Sequence, residues 1–297
     1  MSHHVRKHSR GRNAADRSYE RDSLTPEDAE AFATFLVEAE PVIAAKKTQL
    51  EAVGDRLYKS WAHSKQDKED GLFKFIVARE FSPPEALKML QSLLTFRIDN
   101  KVSQIDLKLA EHHLDYRNPF MDLRIEAISG CPIAYGRLNV MHHGMDVEAF
   151  KQSLFATFEK IFLVEKYTRK QVVGIIDFEE WGVGKNFIAS AMTKLVNTAQ
   201  DLFPESLYRV YLINYPGTVK AAYNIIAPLL STRTTSKIVW LKTKEEYLPK
   251  IRAEVADPNK LPTWLGGKAE IKQPLPPPPA AAHPASHSPV TGWMHRS

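Results

Sequence analysis

The chain of 297 residues lacks the features that stabilise secreted proteins and anchor membrane proteins. Its single cysteine, Cys131, excludes an intramolecular disulfide, and a lone cysteine is more often a small core residue than a nucleophile. No uncharged apolar run approaches the roughly 20 residues that a membrane-spanning helix needs. The residues from Met1 to Lys7 lack the apolar segment of a signal peptide. We therefore expect a cytoplasmic protein that meets membranes only peripherally.

The sequence also lacks the motifs of common nucleotide-binding proteins, hydrolases and metalloenzymes. It has no Gly-rich phosphate loop, no dinucleotide fingerprint, no Gly-x-Ser-x-Gly elbow and no His-Glu-x-x-His or paired-cysteine spacing. Neighbours in the pairs His112-His113 and His142-His143 point in different directions, so neither pair forms a two-ligand metal face. Asp177 and Glu179-Glu180 follow a strand without a partner motif, which favours a carboxylate that caps a loop. We expect no catalytic residue, no metal site and no cofactor.

Charge and composition are those of a globular protein with polar ends. Hydrophobic residues make up 43% of the chain, and much of the excess behind its net charge of +5 lies in the first dozen residues. A nucleic-acid-binding face is therefore not implied. Residues 1–24 are basic and free of apolar periodicity, so we expect them to be disordered. Residues 273–297 are rich in proline and are expected to form an extended tail.

The first third of the chain is predicted to be helical. A helix start at Thr25-Pro26 is followed by helical patterns over 26–40 and 41–64, a solvated turn over 66–71, and a further helix from Pro83.

From about Asp122 onward, apolar strands alternate with long helices. Strands are predicted over 132–140, 172–178, 209–214 and 237–241, and helices over 147–167, 186–202 and 219–227. Such alternation predicts an α/β lobe with a mostly parallel or mixed sheet.

The segment from Val219 to Ala227 is unusual among these helices. Lys220 and Asn224 are its only strongly polar residues, and apolar residues occupy most of its circumference. Such a helix must be buried, lie in a membrane or cover something apolar. Thr218 is the expected N-cap, and the polar residues 231–236 are expected to form a flexible turn.

Several motifs resemble those of the CRAL-TRIO (Sec14-like) family, of the phosphatidylinositol transfer protein type. In the first half, Leu72 to Phe81 is similar to the family's L-L-R-F-L-R-A-R-K-F signature, and Phe96-Arg97 to the end of its next helix. The second half continues the resemblance in family order, at residues 175–177, 203–205 (Phe-Pro-Glu), 213–216 (Ile-Asn-Tyr-Pro), 226–230, 234–238 (Thr-Thr-Ser-Lys-Ile) and 261–267 (Leu-Pro-x-x-x-Gly-Gly).

The resemblance implies a fold of two parts between the polar ends. An all-helical N-terminal subdomain over 25–121 would be followed by a CRAL-TRIO lobe over 122–272, whose sheet floors a hydrophobic lipid pocket. The apolar helix would be the gate that closes this pocket. The residues assigned to gate and pocket are Val219, Ala222, Tyr223, Ile225, Ile226 and Leu229.

The resemblance also implies a headgroup site. Arg79, Glu205, Thr234 and Lys237 match the residues that handle phosphatidylinositol in the family, and cations, a hydroxyl and an acceptor suit phosphate and inositol hydroxyls. The alternative is an ordinary ion pair between Lys237 and Glu205, with Arg79 as a helix cap. Residues 172–174 (Val-Val-Gly) lack the hydroxyls that hold phosphatidylcholine in some members. The gate lacks the family's phenylalanines, so its membrane insertion is expected to be shallower.

The function implied is non-enzymatic. The protein would bind phosphatidylinositol and transfer it between membranes or present it to a lipid kinase, as a monomer whose partners are the phospholipid and, transiently, a membrane surface. One alternative keeps the fold but binds a sterol-like, tocopherol-like or retinoid-like molecule. Another is an adaptor regulated by lipid, whose Pro-rich tail binds a partner domain.

Overall fold

A computed structural model describes residues 21, 24–114, 120–165, 167, 171–187, 193, 196, 200 and 202–273. Residues 1–20, the Pro-rich segment from Pro274, and most of the helix predicted over 186–202 lie outside this described part.

The front of the molecule is helical, as predicted. The helices are α1 (Pro26–Ala52), α2 (Arg56–Trp61), α3 (Lys65–Ala78) and α4 (Pro83–Asp99), followed by 3₁₀ segments over Val102–Gln104 and Leu107–Leu114. Thr25 caps α1, since its side chain accepts a hydrogen bond from the backbone of Asp28, and Pro26 takes the first helical turn.

Three boundaries in this front part were predicted wrongly. The helix predicted over 41–64 is interrupted, because α1 ends at Ala52 and α2 begins at Arg56. Helix α1 runs unbroken through Pro41, because its buried face continues on both sides of the proline with Ala39 and Ile43. The polar run over 66–71 is not a turn but the beginning of α3. Ser64 accepts a hydrogen bond from the backbone of Asp67 and so caps this helix, and the charged residues form its exposed first turns.

The second half of the chain forms a mixed, mostly parallel sheet, as predicted. Among the described residues, five strands lie in the order β1 to β5, with β1 antiparallel to β2 and all other neighbours parallel. The strands are β1 (Phe120–Glu126), β2 (Pro132–Arg137), β3 (Val172–Asp177), β4 (Leu207–Ile213) and β5 (Ile238–Leu241). Strand β1 was missed, although its buried residues alternate along the chain.

Helices cover both faces of the sheet. Those of the lobe are α5 (Val147–Glu159), α6 (Val183–Asn186), α7 (Thr218–Ile226), α8 (Thr232–Thr235) and α9 (Lys244–Glu254). The described residues of the lobe also include a π-helix over Lys160–Val164 and 3₁₀ segments over Leu138–Val140, Ala227–Leu229, Pro258–Lys260 and Thr263–Leu265.

Two predictions about the surroundings of α7 were wrong. Thr218 is the first residue of the helix rather than its cap, because the N-cap position is taken by Gly217, which has no side chain to accept a hydrogen bond. The polar residues 231–236 are not only a turn but contain α8, whose first turn is capped by the Ser231 hydroxyl accepting from the Thr234 backbone.

A buried ionic network joins the helical front to the lobe. Arg97 of α4 donates to Asp55 at 2.8 Å and to Glu159 of α5 at 2.8 Å, and both carboxylates are fully buried. Burial alone would lower the pKa of Arg97, but the two carboxylates outweigh it and raise that pKa. Because removal of one partner would strand a buried charge, this network fixes the two parts together.

Candidate functional site

Three charged side chains meet next to the N-terminal ends of β4 and β5. The Glu205 carboxylate lies 2.9 Å from Lys237 Nζ through Oε2 and 2.8 Å from Arg233 Nε through Oε1. The three side chains are 7%, 13% and 15% exposed, respectively, so water screens the cluster only weakly. Two cations therefore face one carboxylate in a largely enclosed site.

Local backbone structure fixes these positions. Glu205 has a φ of 51°, in the left-handed region, and its carbonyl accepts a hydrogen bond of 3.1 Å from Gln171. Lys237 directly precedes β5, and its carbonyl accepts from Val210 of β4. Burial lowers the pKa of the Lys237 ammonium and Arg233 adds to this, while the Glu205 carboxylate opposes both.

Of the four predicted headgroup residues, the structure brings Glu205 and Lys237 into contact and places Thr234 nearby. The Thr234 carbonyl accepts from the Lys237 backbone at 3.1 Å, and the Thr234 hydroxyl lies 2.9 Å from the Ser231 hydroxyl. Arg79 is half-buried and is the C-cap residue of α3. Its approach to the headgroup stays a prediction.

Arg233 was missed by sequence reasoning. Arg233 lies in the short helix α8, and Lys237 lies two residues beyond its end, so no helical spacing in the sequence links the two cations. The segment over 231–236 was expected to be a turn.

One face of the sheet is less completely filled than the other. Register places Ala134, Gly174, Val210 and Ile238 in one row across β2 to β5, and Gly136, Ile176, Leu212 and Trp240 in the next row on the same face. Val210 and Ile238 are only half-buried, whereas Tyr135, Ile175 and Tyr211 on the opposite face are buried.

Two small residues lie in the middle of the less filled face. Ala134 of β2 and Gly174 of β3 have little or no side chain, whereas the space above Gly136 is filled by the Phe120 ring, which would lie 2.7 Å from a Cβ there. The two ends of this sheet face pack into separate hydrophobic clusters. Val172 belongs to the cluster of the front helices, whereas Ile176 and Leu212 pack against the cluster beneath α7. This face is the one that the resemblance assigns to the lipid.

Helix α7 lies over the end of this face that carries Ile176 and Leu212. Its Val219 and Ala222 are buried against Phe178 and Trp181. The helix is therefore a surface element with one buried side, rather than an apolar cylinder enclosed on all sides.

The remaining gate residues differ in exposure. Ile225 is 53% exposed, whereas Tyr223, Ile226 and Leu229 are half-buried. Trp240 of β5 lies between two tyrosines, with ring centroids 5.1 Å from Tyr223 and 5.1 Å from Tyr215. These edge-to-face contacts hold α7 against the sheet.

The carboxylate of Asp177, the last residue of β3, has a structural role as a hydrogen-bond acceptor, as predicted. Its Oδ1 accepts from the Glu179 backbone and from Asn214, both at 2.9 Å, and its Oδ2 accepts from Tyr135 at 2.6 Å. Burial, with this carboxylate, raises the pKa of Tyr135.

The described residues also bear on metal sites and membrane-spanning segments. They contain no group of three or more His, Cys, Asp or Glu side chains arranged to hold a metal ion. Across the same residues, no helix combines the length and apolarity required to cross a membrane.

Comparison with known proteins identifies the lobe. Residues 128–267 match the CRAL/TRIO domain. Patellin-5 of Arabidopsis thaliana is 28% identical over 230 residues, which are 68% of this chain and 32% of that protein. The phosphatidylinositol/phosphatidylcholine transfer protein SFH7 of Arabidopsis thaliana is 28% identical over 225 residues, 68% of this chain and 40% of that protein.

The fold agrees with this match. The crystal structure of Sfh5 superposes with a TM-score of 0.56 at 16% sequence identity, covering 73% of this chain and 81% of that one. The chain thus contains a CRAL/TRIO domain, at residues 128–267, and is similar to Sec14-like proteins. It spans about a third of the length of patellin-5 and two fifths of that of SFH7.

Proposed function

We propose that the protein binds phosphatidylinositol and transfers it between membranes, without chemically changing it. The observation that carries the proposal is the cluster of Glu205, Lys237 and Arg233 at the edge of the less filled sheet face. A second role, presentation of the bound lipid to a lipid kinase, would use the same site.

The chemistry of the cluster suits an inositol phosphate headgroup. Lys237 and Arg233 supply cationic donors for a phosphodiester, and charge-assisted hydrogen bonds of this kind are about twice as strong as neutral ones. Glu205 supplies an acceptor for ring hydroxyls. Thr234 follows Arg233 in α8, and its hydroxyl is proposed to serve either group.

The apolar part of the lipid requires shelter from water. Each buried methylene of an acyl chain gains about 0.8 kcal/mol, so two chains leave the protein slowly in water. The small residues of the sheet floor and the half-buried Val210 and Ile238 offer the surface for these chains, with α7 as the cover.

The gate is proposed to open at the bilayer. In water, opening exposes both the inner face of α7 and the sheet beneath it. At a membrane these surfaces meet acyl chains, so the cost of opening falls and the open population grows.

Transfer of labelled phosphatidylinositol between vesicles tests the proposal. The wild-type protein should accelerate transfer, and Lys237→Ala should reduce the rate about tenfold or more while its circular dichroism is unchanged. Lys242→Ala, an exposed lysine just beyond β5, is the matched control and should transfer at the wild-type rate. Equal transfer by the folded Lys237→Ala variant would overturn the headgroup assignment.

A further inference from the structure

Gln273, the residue before the Pro-rich segment, lies beside the C-terminal ends of β2 and β3. Its amide oxygen accepts a hydrogen bond of 3.0 Å from Arg137 Nη1. Arg137 is the last residue of β2, and its Nη2 lies 3.5 Å from the carboxylate of Glu180, which follows β3. Two residues before Gln273, Ile271 packs on the sheet face opposite α7. The chain after Gln273 therefore leaves from the C-terminal edge of the sheet, next to the segment that leads into α6.

Helix α6 presents apolar side chains beside this edge. Val183 is 40% exposed, and Phe187 is half-buried and packs edge-to-face on Trp181, with ring centroids 6.3 Å apart. The Phe187 backbone donates to the Val183 carbonyl, so the two side chains lie one helical turn apart. A Cβ added at Gly182 or Gly184 would meet no atom of the described residues within 4 Å, so the space beside Val183 is open. We call Val183 and Phe187 the α6 shelf.

The α6 shelf is continuous with the gate. Phe187 packs against the hydrophobic cluster that contains Trp181 together with Val219 and Ala222, the buried residues of α7. Helix α6 also contacts α7 directly. A segment that lies on the shelf therefore covers the junction that must part when α7 moves.

Residues 274–279 (Pro-Leu-Pro-Pro-Pro-Pro) have the chemistry that suits this shelf. They carry no charge and no side-chain hydrogen-bond donor. Proline fixes its backbone φ before binding, so the contact of a polyproline segment with an aromatic and apolar surface costs little chain entropy.

The same residues have the reach. A polyproline II segment rises about 3.1 Å per residue, so six residues span about 19 Å. Val183 is only three residues beyond Glu180, which contacts Arg137 beside Gln273. A span of this order leads from Gln273 to the shelf.

We propose that residues 274–279 dock on the α6 shelf of the same chain and act as a strap that keeps α7 closed. Gln273 is the anchor of the strap, because its amide is tied to Arg137. The tether makes the contact intramolecular, with an effective concentration on the order of millimolar, so a weak apolar contact is enough to populate it. The docking does not depend on a bound lipid, whereas the effect on α7 rests on the proposed function.

Cross-linking within the full chain tests the docking. Cys131 is the only cysteine and is fully buried, so bismaleimides react with added cysteines. Ala280→Cys places one thiol directly after the polyproline segment, and Lys185→Cys places the other on the exposed side of α6. In the matched control, Lys88→Cys at an exposed position of α4 replaces Lys185→Cys.

A short bismaleimide should join the thiols of Ala280→Cys and Lys185→Cys within one chain about tenfold faster than those of Ala280→Cys and Lys88→Cys. Equal rates would show that the segment does not prefer α6, and cross-links formed only between two chains would place it on a second copy. Either result overturns the docking.

Two further substitutions tie the cross-link to the shelf and its anchor. Val183→Asp adds a charge at an exposed position and should lower the rate of cross-linking to Lys185→Cys about tenfold, because docking would desolvate that charge. Gln273→Ala removes the hydrogen bond to Arg137 and should lower the rate several-fold, whereas Lys272→Ala, at its exposed neighbour, should not. Circular dichroism checks that each variant folds. An unchanged rate in either folded variant would reject the shelf or its anchor.

Lipid transfer separates the strap from the proposed function. With a bismaleimide whose spacer is reducible, the chain cross-linked between Ala280→Cys and Lys185→Cys should transfer phosphatidylinositol about tenfold more slowly than after reduction. The chain cross-linked to Lys88→Cys should transfer at the same rate before and after reduction. Equal transfer before and after reduction of the Lys185→Cys cross-link would overturn the strap. Absence of transfer by the wild type, with the preference for Lys185→Cys intact, would contradict the proposed function and support the docking.

Discussion

Lys237 Nζ lies 2.9 Å from Glu205 Oε2, so the cation assigned to the headgroup phosphate is already engaged by a carboxylate. Arg233 holds the other oxygen of the same carboxylate at 2.8 Å. A phosphate that binds here competes with Glu205, and the carboxylate then needs new donors. Inositol hydroxyls supply such donors and a bare phosphate ester does not, so under the proposed function we expect the cluster to prefer a headgroup that carries both.

The first prediction concerns this selectivity. Glu205→Gln removes the competing charge and weakens acceptance from inositol hydroxyls. Phosphatidylinositol affinity should fall by about tenfold, while phosphatidic acid, which carries phosphate without inositol, should gain several-fold. Vesicle competition assays measure both. Glu245→Gln, on the exposed first turn of α9, should change neither, and an unchanged preference in Glu205→Gln would refute the exchange of partners.

The second prediction is that phosphatidylcholine is a poor ligand. Val172 and Gly174 carry no hydroxyl, and register places Gly174 in the middle of the proposed floor. SFH7 is named as a transfer protein for both phospholipids, so this chain should differ from that relative. Transfer of labelled phosphatidylcholine at the rate found for phosphatidylinositol would contradict the prediction. Gly174→Ser introduces a hydroxyl at this position and tests whether choline lipid is gained.

The third prediction concerns membrane contact by α7. Ile225 is 53% exposed in the closed structure, so Ile225→Asp should fold normally. It should lower vesicle binding and transfer, because the charge must be desolvated when the helix meets acyl chains. Asn224→Asp adds the same charge at an exposed polar neighbour and should have a smaller effect. Equal loss in both variants would indicate general repulsion from the membrane rather than insertion of Ile225.

The fourth prediction is a pH dependence of stability. Burial raises the pKa of Asp122 above its ordinary 3.8, and Glu165 adds to this, while the Tyr167 hydroxyl and the Arg124 backbone oppose it. A carboxyl with a raised folded pKa stabilises most below pH 3.8, and this contribution is lost as pH rises through the folded pKa. The thermal stability of Asp122→Asn relative to that of the wild type should therefore increase as pH rises from about 4 to about 7.

The control for this titration is Asp99→Asn, at the exposed end of α4, which should show a constant difference from the wild type over the same range. If the difference in thermal stability between Asp122→Asn and the wild type is also constant with pH, the pKa of Asp122 is not raised in the folded protein.

Much of the fold was readable from the sequence, and the exceptions have physical causes. The period of apolar residues predicted β2 to β5, α4 and α5. Pro41 was read as a break because proline removes one hydrogen bond, yet the packing of Ala39 and Ile43 outweighs that loss. The polar residues 66–71 were read as a turn because they lack an apolar face, whereas Ser64 supplies the cap that begins α3.

The candidate site was only partly readable. The ion pair between Lys237 and Glu205, the alternative to the headgroup site, joins residues that prove to be in contact across 32 positions of sequence. Their role in headgroup binding stays a prediction. Arg233 was not identified because its segment was interpreted as a turn. The exposure of Ile225 depends on how α7 packs against the sheet, which the sequence does not specify. The contacts of Arg97 with Glu159 and of Gln273 with Arg137 join segments that carry no local signal of proximity.

The most direct test of the central claim is the identity of the lipid that the protein carries. The protein purified from cells should be extracted with organic solvent and the extract analysed by mass spectrometry, alongside Lys237→Ala and Lys242→Ala prepared in the same way. The account predicts phosphatidylinositol in the wild type and in Lys242→Ala, with little phosphatidylcholine, and a strong depletion of the inositol lipid in Lys237→Ala. A wild-type extract without inositol lipid, or equal amounts in Lys237→Ala, would contradict it.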